Sequence, residues 1–586
     1  MTVAETQVQR ARSYFRGITS VLFSTASGAL ALVMLLLVIY PIGTMFVREL
    51  LPGGTLNTDA FASVLGSAVF WDAAKNSAIV LLISGFASIL IGTTFAWLNE
   101  RTDAQMGFLS NFLPVLPLLV PSVAMSIGWV FLAQETSGFL NVFLRWLMSP
   151  FGIEMRKGPL NISTWTGLIF VYTLHLVPFS YLIVSVAFRN LDPALEEAAR
   201  VCGAGRARVF FRVSSASIMP AILNSALLVT IVGIAMYSVP VVIGTIARID
   251  VLSVLTVHLV RGVYPARIAE GVVISLVLTV VVLTVWAIQR YLSTQQRHAT
   301  IAGKAGGSSL VELGVWKWVA RVVVLAFVAA STVLPFGALL LVALQPFWSP
   351  MIDFSTLSLQ HFESLFNGGV VERAIFTSLK LGLIGATLGM FIAAILMEFA
   401  RDRGGMQGNI VLGIMRLPGA IINVVLGVGF LVVLGAPPFN LQGTITILLL
   451  AYIVIYMPQA ATAAGSAIEQ VGGELIESGR MAGAGKGRVF ARITLPLILP
   501  GLAAGWAMIF VVMVGDLTAS ALLAGTRNPV VGFVILDIWE NGLYSQLAAL
   551  AALISIISSA AVLFVLYFGR SGKIAGSSLF SGRISN

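Results

Sequence analysis

The sequence predicts an all-α polytopic membrane protein, with about 12 transmembrane helices in two pseudo-symmetric six-helix halves. Three observations predict it. Hydrophobic residues fill 58% of the 586 positions and charged residues only 10%, with a mean hydropathy of +0.96. A soluble domain carries roughly 25% charged residues, so this chain has too few to cover a water-exposed surface and its solvent must be lipid. Twelve windows each hold about 20 mostly apolar residues, the length that crosses a bilayer. Finally, one long polar loop recurs 280 residues later with the same residue types at the same places.

The twelve windows are 21–47, 76–98, 108–133, 162–187, 217–245, 269–289, 316–345, 376–399, 408–435, 441–463, 497–525 and 545–568. The first follows a basic stretch, Arg10, Arg12 and Arg16. It is too long for the core of a signal peptide, about 7–15 residues, and reads as a retained span. Sorting the 35 Lys and Arg by alternate loops puts 23 on the N-terminal side and 10 opposite, with Lys380 and Arg416 inside spans. Basic loops stay in the cytoplasm, which places both termini and the loops at 188–216 and 464–496 there, in a bacterial inner membrane. The same rule accounts for the net charge of +10 without a nucleic-acid partner.

The polar, Gly/Ser-rich segment 292–315 reads as a flexible linker between a first half, 1–291, and a second, 316–586. Two loops on the opposite side, 134–161 and 346–375, mix apolar and polar residues, Phe139, Leu140, Phe143 and Trp146 among them. They read as re-entrant or interfacial helices, or as a docking surface for a soluble partner.

The repeated loop is the most informative feature. Glu196 to Ile222 reads EEAARVCGAGRARVFFRVSSASIMPAI, and Ile476 to Leu502 reads IESGRMAGAGKGRVFARITLPLILPGL. Eleven of the 27 aligned positions are identical, including Glu197/Glu477, Gly203/Gly483, Arg208/Arg488, Arg212/Arg492 and Pro220/Pro500. Shared hydrophobicity does not produce matches in Glu, Gly, Arg and Pro. A short helix with small residues, Ala198 and Ala199 or Ser478 and Gly479, would be broken by Gly203 or Gly483, where glycine permits backbone geometry that other residues disfavour. Pro220 and Pro500 would open the following spans, where a missing N–H costs nothing. The expected unit is a helix–turn–helix outside the membrane that fits another protein's groove; the plainer reading is an amphipathic surface helix.

These loops resemble the EAA motif of binding-protein-dependent ABC importer permeases of the type I fold: Glu-Ala-Ala, three residues, Gly, nine residues, then Ile-x-Leu-Pro. The second loop supplies Glu477, Gly483, Ile493, Leu495 and Pro496 at that spacing. The first supplies Glu197, Ala198, Ala199 and Gly203 but ends in Val213, Ser215 and Ala216. Each copy departs where the other is faithful, which leaves open whether both couple equally. With two halves in one chain, the sequence is most similar to the ferric-iron uptake permeases. The resemblance implies that each loop (about 189–216 and 466–496) docks a separate ATPase subunit through Glu197, Ala198, Ala199, Gly203 and Arg208, and through Glu477, Ser478, Gly479, Gly483 and Arg488. It also implies two ATPase copies, an extracytoplasmic solute-binding protein and alternating-access import of a small solute, ferric iron first. Thiamine, polyamines, phosphonates or sugar phosphates remain open as solutes. An ion-gradient-driven secondary transporter is the rival class.

No catalytic constellation is present. GRMAGAGKGR at 479–488 looks like a phosphate loop, but Gly487 replaces the required Ser/Thr and Arg480 the first Gly. ATP and Mg would therefore bind the partner subunit, and this chain would carry no cofactor. Cys202 is the only cysteine, which excludes an intrachain disulfide, and the four scattered histidines read as single satisfied residues rather than as a metal-binding trio. Asp516 falls in the eleventh window, where a charge costs about 2.5–3.5 kcal/mol on insertion scales. It should face the substrate route or an ion-pair partner such as Lys380 or Arg416. The comparable first-half residues are Tyr237 and Ser238. Pro121 and Pro418 mark irregular helix near the route.

Overall fold

The computed structural model describes residues 3–152, 155–295 and 310–580. Helices dominate these residues, and extended pairing is confined to the isolated bridges Thr102 with Val311 and Gly525 with Asn528. In chain order the principal helices are α1 (Val3–Leu50), α2 (Ala68–Arg101), α3 (Ser122–Ala133), α4 (Trp165–Asn190), α5 (Pro193–Val201) and α6 (Ser215–Ala235). Then come α7 (Ile268–Gln295), α8 (Trp316–Leu344), α9 (Val370–Arg403), α10 (Asn423–Leu434), α11 (Ile445–Ile455) and α12 (Met457–Glu469). The last are α13 (Gly473–Met481), α14 (Leu495–Val514), α15 (Thr518–Leu523), α16 (Val531–Glu540) and α17 (Tyr544–Phe580). Among the described residues, nine helices are long and apolar enough to cross a membrane, and four further pairs pass the same test together across a sharp bend.

Three of the bent pairs fall on expected spans. The chain turns by 97° between Leu113–Leu119 and α3, by 96° between Gly405–Ala420 and α10, and by 51° between α11 and α12. The fourth corrects the sequence reading. The window at 217–245 is not one span: α6 ends at Ala235, and Pro240–Ala247 and Leu252–Gly262 form a separate pair bent by 97°. The apolar run continues through the break, so hydropathy alone does not register it. Likewise the expected span 497–525 stops at Val514.

The chain packs as two compact units, each borrowing a span from the other end of the sequence. One comprises Leu56–Gly369 with Ile535–Ser555, here the first-half unit. The other comprises Met1–Thr55, Val370–Val534 and Ile556–Asn586, here the second-half unit. Packing therefore does not follow the sequence division at the 292–315 linker: α1 packs on α10, and α8 packs on α3. A Cβ on Gly128 of α3 would lie 2.5 Å from the Pro335 carbonyl oxygen of α8, so the α8 backbone comes as close as only a glycine allows, whereas at Gly429 of α10 the Pro41 carbonyl of α1 stands at an ordinary contact distance of 3.5 Å.

The outer spans follow the small-residue logic of helices in lipid, where packing replaces the hydrophobic drive. On α2 the stripe Leu82, Phe86 and Leu90 is exposed, while Ser88 and Gly92 are buried. A Cβ on Gly92 would stand 2.8 Å from that of Ser180 on α4. Gly501 and Gly505 of α14 meet Ala467 and Ala463 of α12 in the same manner.

Of the linker, residues 296–309 and His298 lie outside the described residues. Its last part is docked rather than loose: Val311 N–H donates to the Arg101 carbonyl at 2.8 Å, and Leu313 N–H to Asp103 Oδ1 at 2.8 Å. The loop at 134–161 holds a helix, Phe139–Met148, with Phe143, Trp146 and Leu147 exposed. Its buried Asn141 donates to the Gln134 and Leu160 carbonyls at 2.9 and 2.7 Å, fastening the helix from beneath.

Candidate functional site

The two repeated loops are copies in backbone as well as in sequence. In the first, Asp192 accepts the Ala194 N–H at 2.9 Å, Pro193 takes the first helical position, and α5 runs to Val201. Gly203 then adopts a left-handed conformation, φ +81°. Its N–H donates to the Arg200 carbonyl at 2.9 Å while Ala204 N–H donates to Ala199 at 3.0 Å, the two bonds of a Schellman stop. In the second, Gly483 has φ +91°, and its N–H and that of Ala484 donate to the Arg480 and Gly479 carbonyls at 3.0 and 3.1 Å. Only glycine holds such a φ without strain.

The repeat extends past the glycine. A helical turn (Arg206–Val209 and Lys486–Val489) leads into a π-helical turn (Phe210–Ser214 and Phe490–Thr494) and then into α6 and α14. Each of these boundaries recurs at an offset of 280. Pro220 and Pro500 do not open these helices as the sequence suggested; each lies inside one, past the π-helical turn.

Glu197, Ala198, Gly203 and Arg208 are exposed on the first loop, as are Glu477, Ser478 and Arg488 on the second. Ala199, Gly479 and Gly483 are half-buried. Composition did not reveal the inner face. Glu196, beside the motif glutamate, is buried; its Oε1 accepts the Ser214 hydroxyl at 2.7 Å, and its Oε2 lies 4.0 Å from Nη1 of the buried Arg101. The second loop buries Ile476 at the equivalent position and is held by charge elsewhere. Asp402, at the end of α9, pairs with Arg480 Nη2 at 2.5 Å and Lys486 Nζ at 2.6 Å. In the sequence Glu196 stands out only as an acid with no counterpart 280 residues later, where Ile476 stands.

The candidate pathway residues divide between the units. Pro121 precedes α3 at its bend, and Tyr237 and Ser238 lie buried in the break after α6, all in the first-half unit. Pro418 lies in the 3-10 turn Leu417–Ala420 ahead of α10, and Asp516 lies in the break after α14, both in the second-half unit.

Asp516 therefore stands at a helix end, not in the middle of a span. Its Oδ1 accepts the Tyr456 hydroxyl at 2.8 Å, and its Oδ2 accepts the N–H groups of Ala519 and Ser520 at 2.9 and 3.1 Å, capping α15. Among the described residues it makes no ion pair, so Lys380 and Arg416 are not its partners. The positive end of a short helix takes the role expected of a cation. The two breaks share a further device: Ser520 Oγ donates to the Asp516 carbonyl at 2.7 Å, and Ser253 Oγ to the Met236 carbonyl at 2.8 Å. Each hydroxyl satisfies a carbonyl released where the helix stops.

Elsewhere, His175 lies within α4 beside Phe179, and His361 Nε2 lies 3.1 Å from the Pro346 carbonyl. Among the described residues no group of three His, Cys, Asp or Glu is placed to hold a metal ion.

Known proteins resemble this chain over long stretches of its sequence. The family model for the binding-protein-dependent transport system inner membrane component matches residues 88–298 and 385–570, more than half of the chain and one segment per repeated loop. The chain is 23% identical to the ferric transport system permease protein FbpB of Actinobacillus pleuropneumoniae, over 92% of this chain and 77% of that one. It is 23% identical to a putative ferric transport system permease protein of Haemophilus influenzae, over 82% and 74%. Identity to the spermidine/putrescine transport system permease protein PotB of Escherichia coli is 26%, over 38% and 80%. A crystal structure of a bacterial ABC transporter involved in alginate import shares 19% identity over 43% of this chain and 94% of that one, with a TM-score of 0.35. On the family match and the paired loops that fall inside it, this chain belongs to the binding-protein-dependent transport system inner membrane components and is a multi-pass membrane permease of an ABC importer.

Proposed function

We propose that the chain forms the translocation pathway of a ferric-iron importer, and that two copies of an ATPase subunit dock on its repeated loops, one on each. The observation that carries the docking is the twofold Schellman-stopped helix, which turns Glu197 and Glu477 outward on equivalent backbones. A loop that only rested on the membrane surface would not need the same left-handed glycine twice. Both termini and both loops lie in the cytoplasm on the distribution of Lys and Arg, and a solute-binding protein delivers iron to the opposite face. ATP binding draws the ATPases and the loops together, the repeats rock against one another, and access alternates. Iron is the solute because the ferric relatives match over most of the chain and the polyamine relative over 38%.

The test is uptake by proteoliposomes containing the chain, its ATPase and its binding protein. Ferric iron should enter only with ATP and both partners present. Uptake driven by an ion gradient without the ATPase would overturn the class. ATP-driven uptake of spermidine but not iron would overturn the solute alone.

A further inference from the structure

The repeated loops are fastened to the membrane helices by clamps of opposite polarity. Helices α2 and α9 are equivalent at an offset of 302, since Ala68 and Arg101 correspond to Val370 and Arg403. In the last turn of α2, the base Arg101 faces an acid of the loop, Glu196, which also accepts the Ser214 hydroxyl. In the last turn of α9, the acid Asp402 faces two bases of the loop, Arg480 and Lys486. Both helices are tied as well to the span that leads into the loop: Glu100 to Arg189 of α4 at 2.7 Å in one unit, and Arg401, which also pairs with Glu398, to the Ile468 carbonyl of α12 at 3.3 Å in the other.

We infer that Arg101 with Glu196, and Asp402 with Arg480 and Lys486, are positioning residues that carry the movement of each loop into α2 and α9. The inference rests on the reading of these loops as ATPase-docking elements. Each loop and the helix end it faces lie far apart in the chain, Glu196 95 positions after Arg101 and Arg480 78 after Asp402, so these charged contacts join them directly and resist their separation. The clamps also differ in stiffness. The side chains of Arg101 and Glu196 are 2% and 5% exposed, so salt hardly screens them. Those of Arg480 and Lys486 are 41% and 34% exposed against 6% for that of Asp402, so that clamp weakens as salt rises.

The first clamp is also incompletely closed. Arg101 Nη2 donates to the Leu191 carbonyl at 2.6 Å, whereas Nη1 has no hydrogen-bond partner among the described residues and stands 4.0 Å from Glu196. Charged N–H···O contacts settle near 2.7–2.9 Å. A loop displacement of about 1 Å therefore makes or breaks a buried hydrogen bond, the kind of discrete change that transmits a push.

The experiment uses the full chain with its ATPase and binding protein in proteoliposomes, and reads ATPase co-purification, ATP turnover and uptake separately. Asp402→Asn should keep the ATPase bound and ATP turning over, while uptake per ATP falls at least tenfold. Because the Asp402 side chain is little exposed, the loop-side double variant Arg480→Gln with Lys486→Gln provides a second route to the same result. The reversal Asp402→Arg with Arg480→Asp and Lys486→Glu should restore uptake per ATP, and the ATPase should co-purify equally with every variant, whereas a contact needed only to hold the loop's fold would lose the ATPase together with uptake. Uptake per ATP unchanged in both Asp402→Asn and the double variant would overturn the inference. Absence of ATPase-dependent uptake in the unaltered chain would instead overturn the proposed function.

Discussion

The space beside the backbone of Gly479 is filled by the Cδ1 methyl of Ile493, which a Cβ at that position would overlap. At the equivalent positions 280 residues earlier stand Ala199 and Val213. The first loop carries the methyl on its short helix and lacks it on the partner; the second does the reverse. The departure of the second loop from Glu-Ala-Ala is thus a packing exchange, with Gly479 and Ile493 changed together. Alanine at 479 would gain about 1 kcal/mol of helix propensity but overpack at a cost of about 1–3 kcal/mol. Gly479→Ala should therefore lower the thermal midpoint of the purified protein, and adding Ile493→Val should recover it. A double-mutant cycle with less than about 0.5 kcal/mol of coupling would show that Ile493 simply turns aside.

The exposed glutamates serve a different end from the buried one. Glu197 and Glu477 contribute nothing to the interior, so reversing both to Lys should leave expression and membrane insertion intact while abolishing solute-stimulated ATP hydrolysis. The single Glu197 variant should be at least as impaired as the single Glu477 variant, because Ala198 and Ala199 complete its motif. Glu196→Ala should behave otherwise, since it strands the buried Arg101 guanidinium and costs about 3–5 kcal/mol. Normal solute-stimulated hydrolysis in the double reversal would remove the docking assignment.

Cys202 tests which side the loop occupies. It is exposed at the end of α5, next to Gly203. A membrane-impermeant thiol reagent should label it in inverted vesicles and not in intact cells, and bound ATPase should protect it. Labelling in intact cells would reverse the orientation. Labelling in inverted vesicles without protection would keep the orientation and move the docking surface elsewhere.

What the sequence made legible was whatever is local or periodic: apolar windows, basic loops, and the glycine that stops each repeated helix. What it concealed depends on partners far away in the chain. Glu196 reads as an ordinary helix acid until Arg101, 95 positions earlier, is found against it. The packing of α8 in the first-half unit includes the close approach of Pro335 to Gly128, 207 positions apart, and the pair shows no local pattern. The break after Ala235 was hidden for another reason: Met236 and Val239 carry the apolar run up to Pro240, which opens the next helix, and the carbonyl freed at Met236 is satisfied by the distant Ser253.

Asp516 gives the sharpest separation of structure from transport. Its carboxylate takes three hydrogen bonds, from Tyr456 and from the N–H groups of Ala519 and Ser520. Asparagine can reproduce that pattern, its oxygen accepting the two N–H groups and its amide donating to the Tyr456 oxygen, which accepts as readily as it donates. Alanine cannot; it leaves the first turn of α15 uncapped and the Tyr456 hydroxyl without that acceptor, at a cost of about 1–3 kcal/mol. Asp516→Ala should thus lower the thermal midpoint clearly and Asp516→Asn only slightly. Any uptake lost in Asp516→Asn then reports the charge itself, as expected if a cationic solute passes near this helix end. Tyr456→Phe supplies the control, because it keeps the charge and the cap while removing one donor. If Asp516→Asn and Tyr456→Phe both import at the normal rate while Asp516→Ala unfolds early, Asp516 is a cap and nothing more, and the route runs past other residues.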